Sequence, residues 1–198
     1  MNPPSDSIAT LPSDPLREEV HCRQIEMRAF KRADGLFEID AMLVDRKPHD
    51  LLPQPGARFV PANEPIHQLG LRLVFDDALV VRAIEPYTHF APYPDCPDGG
   101  RALQTVVGLS MTGGWGREVR NRLSGARSCT HLMELLTPIA TTAHQALRGF
   151  LTGRPEATDV DGRPKKIDSC YAFRAQGDVV LRRWPALHRP ESADIADD

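Results

Sequence analysis

Residues 67–75 read His67-Gln68-Leu69-Gly70-Leu71-Arg72-Leu73-Val74-Phe75, with an apolar side chain at every second position. A period of two is typical of a β-strand with one buried face. His67 falls on that buried face by parity, so its imidazole needs a polar partner there. The turn Asp76-Asp77-Ala78 and the apolar run from Leu79 to Ile84 complete a β-hairpin.

A second hairpin is predicted upstream. The segments 20–27 and 36–44 both alternate, and Asp34-Gly35 between them is a strong turn signal. His21 and Arg23 are interpreted as cross-strand polar partners of Asp40 and Asp45 on the facing strand. The proline-rich segment 46–65 is expected to be a loop.

Helical periodicity follows the strands. Short helices are predicted at 101–109 and 115–123, and a long amphipathic helix at 129–150. A last hairpin is predicted from 167–174 and 179–184. Strands and helices in separate runs indicate an α+β fold, with an antiparallel sheet built from hairpins and three helices packed on one face.

Composition limits the classes of function. The chain has 198 residues, a net charge of -3 and no excess of basic residues that would attract nucleic acid. We expect a disordered leader at 1–16, a single α+β domain at 17–187 and a frayed acidic tail at 188–198. Without an apolar segment of signal-peptide or membrane-spanning type, the sequence predicts a cytoplasmic protein.

The start of the long helix concentrates reactive side chains in the run Cys129-Thr130-His131. A thiol at a helix N-terminus is favoured as thiolate, the form that binds metals. A metal site would combine His67, Cys96, Cys129 and His131, a donor set that suits zinc or an iron–sulfur cluster. The alternative is that the two cysteines are packed thiols and His67 is a hydrogen-bonded core histidine.

Two enzymatic alternatives use the same region. A zinc ion with an open position could activate water, with Glu134 or Asp95 as the base. Cys129 could instead attack an electrophile, with His131 as its base. A third class is an interaction module that binds no metal.

Asp168 and Cys170 share a face of the predicted last hairpin. They are either further ligands or ordinary strand residues.

Between about residues 17 and 184 the chain resembles a bacterial family of proteins with a domain of unknown function. The segments that carry this resemblance are Arg17–His21, Arg32–Phe37, Glu64–His67, Pro92–Pro97, Cys129–Leu132 and Asp168–Cys170. The resemblance implies no activity.

Residues 64–150 also resemble the NifU-type scaffolds on which iron–sulfur clusters are assembled. The resemblance implies a scaffold-like α+β core with added N- and C-terminal hairpins, and a role in metal or cluster handling for a partner protein. His67 stands at the position of the scaffold's first cysteine and Cys96 at the second, with Cys129 or His131 at the last. The aspartate that the scaffold family has just after its first ligand, and that is linked there to cluster lability, is absent, since Gln68 and Leu69 follow His67. A static zinc or iron–sulfur site is therefore expected rather than a transient cluster.

Overall fold

Four antiparallel strands form one sheet in the order β1-β2-β3-β4. The computed structural model describes residues 15–148, 150 and 156–190, so most of the predicted leader and tail lies outside the described residues. The strands are β1 (Cys22–Lys31), β2 (Phe37–Arg46), β3 (Pro65–Phe75) and β4 (Val81–Phe90). Both predicted N-terminal hairpins are therefore confirmed, and β4 runs six residues beyond its predicted end at Ile84.

Each hairpin turn is held by an aspartate. Gly35 has φ +85°, a conformation that glycine adopts without strain, and Asp34 accepts a hydrogen bond from the Leu36 N–H. In the second turn, Asp76 Oδ1 accepts the N–H groups of Ala78 and Val80 at 2.9 Å each. These local bonds fix the register of the strands that follow.

One face of the sheet is covered and carries the core. Six apolar side chains of β2 and β3 on this face are at most 1% exposed: Ile39, Ala41, Leu43, Leu69, Leu71 and Leu73. The opposite face carries charged residues such as Asp40 and Arg72. This separation follows from the period of two in the sequence, because alternate side chains point to opposite faces.

Helices cover the apolar face. A 3-10 helix spans Cys96–Val106, α1 spans Trp115–Leu123 and α2 spans Thr130–Arg148. The stripe of α2 that packs against β1, β2 and β3 is buried along its whole length: Leu132, Leu135, Leu136, Ile139, Ala140, Ala143 and Leu147. The 3-10 helix begins at Cys96, five residues before the predicted start of the first helix, and packs against β4 and α1.

The prediction of a last hairpin at 167–174 and 179–184 is wrong. The structure has a 3-10 turn at Tyr171–Phe173 and a helix, α3, at Asp178–Arg183. Asp178 in the first turn of α3 and the arginines in its last turn complement the helix dipole. Val180 also packs into a small core with Ile167 and Ala175, and this packing overrides the strand preference of Val179 and Val180. Asp168 and Cys170 consequently share no strand face.

The chain forms two compact units, Met1–Phe150 and Leu151–Asp198. The first contains the sheet, the 3-10 helix at Cys96–Val106, α1 and α2. The second, as described over 156–190, has its own small core of Ile167, Ala175 and Val180 with Trp184 against it. The single domain at 17–187 stays a prediction, because compact units of this size occur both within one domain and as separate domains.

Candidate metal centre

A row of polar side chains lies at one end of the covered face. Arg23 on β1 pairs with Asp45 on β2, and Asp45 pairs with His67 on β3. Side chains of directly opposite residues share one face of a sheet, so the three lie side by side. The next row on the same face carries Leu43 and Leu69, which are 0% and 1% exposed. The polar row therefore begins where the apolar core ends.

Asp45 is at the centre of this row and is only 1% exposed. The Arg23 guanidinium donates from Nε to Oδ1 at 2.8 Å and from Nη2 to Oδ2 at 2.9 Å. His21 Nε2 lies 3.1 Å from Oδ1, and His67 Nδ1 lies 3.1 Å from Oδ2. A buried carboxylate requires such partners, because an unpaired buried charge is strongly unfavourable.

The first turns of α2 place two more polar groups over the row. His131 Nε2 lies 3.8 Å from Asp45 Oδ2, and the centroids of the His67 and His131 rings are 3.9 Å apart. Glu134 Oε2 accepts a hydrogen bond of 2.7 Å from Arg23 Nη1. The buried leucine stripe of α2 packs on the sheet, and this packing fixes where the helix N-terminus sits.

Asp45, His67 and His131 each offer one ligand atom, and these atoms lie within 4.8 Å of one another. Around a tetrahedral ion at 2.0–2.1 Å, neighbouring ligand atoms are about 3.3 Å apart. The distances from Asp45 Oδ2 to His67 Nδ1, 3.1 Å, and to His131 Nε2, 3.8 Å, lie on either side of that value. These residues form a candidate metal-binding triad.

The environment sets the charge state of two of these groups. Burial raises the pKa of Asp45, but hydrogen bonds from Arg23 and His21 outweigh burial and hold the pKa below its usual range. Burial and the neighbouring His131 lower the pKa of His67. Asp45 is therefore ionised and His67 neutral at pH 7, and these are the forms that bind a metal ion.

His131 has a second partner in Cys129. A hydrogen bond with the Cys129 side chain raises the pKa of His131 despite burial. Burial alone would raise the pKa of the Cys129 thiol. Hydrogen bonds from His131 and from the Leu132 N–H outweigh burial, so the pKa lies below its usual value. The interaction between the two side chains therefore favours the charged form of each, thiolate for Cys129 and imidazolium for His131. Binding of a metal ion by His131 would instead require its neutral form.

The predicted ligands are only partly brought together. His67 and His131 belong to the triad, whereas Cys96 and Cys129, both half-buried, lie outside it. The Cys129 N–H donates to Gly99 O at 3.0 Å, in the 3-10 helix that Cys96 begins. Ligand roles for the two cysteines stay predictions.

The structure also describes the surroundings of the two acidic residues that are predicted as bases of a zinc enzyme. Glu134, one of the predicted bases, binds Arg23. Asp95, the other, is exposed at the N-terminus of the 3-10 helix and makes no side-chain capping bond there.

The sequence alone predicts a cross-strand partner role for Asp45 and does not include it among the candidate ligands. That pairing with Arg23 is confirmed. The sequence does contain a signal that the Asp45 side chain faces the core, because Asp45 continues the alternation of Ile39, Ala41 and Leu43. Its place next to His67 additionally required the register of β2 against β3.

The fold and the site define an α+β protein whose sheet end carries an Asp/His/His candidate metal triad. A family model described as "Protein of unknown function (DUF2889)" matches residues 21–145, and the chain belongs to this family. The matched segment begins at His21 and includes every residue of the triad.

No significant match was found among curated proteins or among solved structures. The NifU-like core implied by the sequence resemblance is therefore not supported. Of the helices in the described residues, none has the length and apolarity needed to cross a membrane.

Proposed function

We propose that this protein binds a divalent transition-metal ion, with zinc as the first candidate, through Asp45, His67 and His131. The observation that carries the proposal is the convergence of three ligand atoms within 4.8 Å from β2, β3 and α2. The polar row and the packing of α2 hold these side chains before any ion binds, which reduces the entropy that binding costs.

The donor set supports the choice of metal. One carboxylate oxygen and two imidazole nitrogens suit zinc or iron(II), whereas magnesium and calcium prefer oxygen ligands alone. An iron–sulfur cluster has less support, because clusters are held mainly by cysteine thiolates and the triad contains none. Cys129 is the nearest thiol in the sequence, two residues from His131.

Three protein ligands leave one position of a tetrahedral ion free, an arrangement typical of catalytic rather than structural zinc sites. A metal bound here would act as a Lewis acid on water or on a ligand at that position. Transfer of the ion to a partner protein, the handling role considered from the sequence, would also use an open position.

Zinc titration of the full-length, metal-stripped protein by calorimetry tests the proposal, with metal analysis of the purified protein beside it. We expect about one zinc per chain, and a loss of affinity of about 100-fold or more in His67→Ala and His131→Ala. His89→Ala is the matched control, since His89 is an exposed histidine at the far end of β4 from the turn. Equal zinc affinity in all four proteins would contradict the proposal.

A second candidate function, covalent catalysis by Cys129, is favoured by the influence of His131, which lowers the pKa of the Cys129 thiol, and by the position of the two residues at the start of α2. His131 in turn lies 3.8 Å from Asp45, so the order thiol, imidazole, carboxylate is that of a nucleophile, its base and an orienting group. Iodoacetamide labelling followed by peptide mapping tests this function. Faster modification of Cys129 than of exposed Cys170 is expected, and His131→Ala should remove the difference.

A further inference from the structure

The Arg23 guanidinium has two kinds of contact. Its Nε and Nη2 atoms form a two-point interaction with Asp45, which is 1% exposed. Its Nη1 atom points the other way and donates to Glu134, whose side chain is 46% exposed. The first contact is part of the buried row, whereas the second is at the surface.

These two contacts differ in how easily a ligand can replace them. Removing the buried contact would leave Asp45 with an uncompensated charge. The exposed pair of Arg23 and Glu134 contributes little to stability, because water and salt screen it and both side chains lose freedom by forming it. An anion in solution can therefore compete with Glu134 for Nη1 without disturbing the row.

We propose that Arg23 Nη1 is a binding point for a small carboxylate ligand of the metal site, and that Glu134 occupies this point until the ligand displaces it. The proposal rests on the proposed metal function, since a second ligand oxygen would take the open metal position. The Glu134 carboxylate, bound at 2.7 Å, demonstrates that a carboxylate oxygen fits at Nη1. A guanidinium matches the planar carboxylate better than other cations do.

The binding point on Arg23 lies next to the metal triad, so one ligand can contact both. Arg23 Nη2 and His67 Nδ1 both contact the same oxygen, Asp45 Oδ2. One carboxylate group therefore connects the guanidinium with the metal triad, and a ligand that reaches one is close to the other. The side chains of His67 and His131 are 15% and 26% exposed, and that of Glu134, on the same helix as His131, is 46% exposed, so solvent reaches both the triad and the binding point.

Calorimetric titration of the zinc-loaded, full-length protein with malonate tests the inference. Glu134→Gln removes the competing charge and nearly keeps the side-chain shape. We expect this variant to bind malonate about threefold more tightly than the original protein, the gain set by the weakness of an exposed ion pair. Glu118→Gln is the matched control, because Glu118 is paired with Arg122 at the surface of α1.

The outcomes separate this inference from the proposed function. If zinc binds but malonate binds equally in Glu134→Gln and the original protein, or does not bind at all, the inference is overturned and the metal function stands. If zinc itself does not bind, the metal function and the inference fall together. Tighter malonate binding in Glu134→Gln alone, with unchanged zinc affinity, supports the inference.

Discussion

Two rows of side chains on the same face of the sheet lie only a few residues apart and have opposite characters. The central row carries Ala41 and Leu71, both 0% exposed, and is part of the apolar core. The end row carries Arg23, Asp45 and His67, which bond to one another. The same alternation of side chains builds both rows. One polar residue on each strand, at the end of the core face, is therefore enough to form the polar row.

The rows also differ in what stabilises them. The central row contributes through burial and close packing, which depend on volume. The end row contributes through hydrogen-bonded charges, which depend on every partner being present. Substitutions in the two rows should therefore destabilise the protein for different reasons, a loss of packing in the central row and a loss of charge pairing in the end row.

The largest effect is expected in the central row. Leu71→Ala should lower the free energy of unfolding by about 4 kcal/mol, because it removes buried methyl groups and leaves a cavity in the core. Urea unfolding followed by circular dichroism measures the change. Leu52→Ala, at a side chain that is 76% exposed, is the control and should be close to neutral.

A smaller loss is expected in the end row. Arg23→Met keeps the length of the side chain but leaves the Asp45 charge without its main partner, so unfolding should become easier by about 3 kcal/mol. The same urea experiment applies. Arg28→Met is the control, since Arg28 is exposed on the other face of β1. If both variants are equally stable, the end row is not held by its charges.

The contrast between the rows also explains what the sequence could predict. The period of two in 67–75 and the turn Asp34-Gly35 are local signals, and both hairpins could be predicted from them. The stripe of α2 is local as well. By contrast, Asp45 becomes the centre of the polar row only because β2 pairs with β1 and β3. The register between strands cannot be predicted from any one segment of the sequence.

The mistaken last hairpin has a different cause. Val179 and Val180 favour a strand locally, but Val180 is needed in a small core with Ile167 and Ala175. A helix supplies that contact, and Asp178 at its start stabilises it. Tertiary packing overrides a strand preference of two residues.

Zinc should stabilise the protein through the end row. An ion that binds only the folded state raises the free energy of unfolding by about 2.7 kcal/mol when its free concentration is 100 times the dissociation constant. Unfolding of metal-stripped protein with and without zinc measures this gain, which His131→Ala should remove. Retention of the full zinc effect in His131→Ala would place the ion elsewhere.

A carboxylate at the opposite end of the sheet gives the smallest effect. Burial raises the pKa of Asp76, but hydrogen bonds from the Val80 N–H, from Arg82 and from the Ala78 N–H hold it below its usual value. Asp76→Asn loses the ionic contact with Arg82 while an amide oxygen can still accept the turn N–H groups. The free energy of unfolding should fall by about 1 kcal/mol at pH 7.

The sign of the pH dependence follows from the direction of this shift. A carboxylate with a lowered pKa in the folded state contributes its stability above the unfolded value of 3.8, and the contribution is lost as the pH falls through the lower folded value. The difference between the original protein and Asp76→Asn should therefore be constant near neutral pH and shrink below about pH 4. Urea unfolding at pH 7 and pH 3 measures it, with Asp95→Asn as the control, since Asp95 makes no capping bond. A difference that is the same at both pH values would mean that the Asp76 side chain acts through its shape rather than its charge, unlike the carboxylate of Asp45.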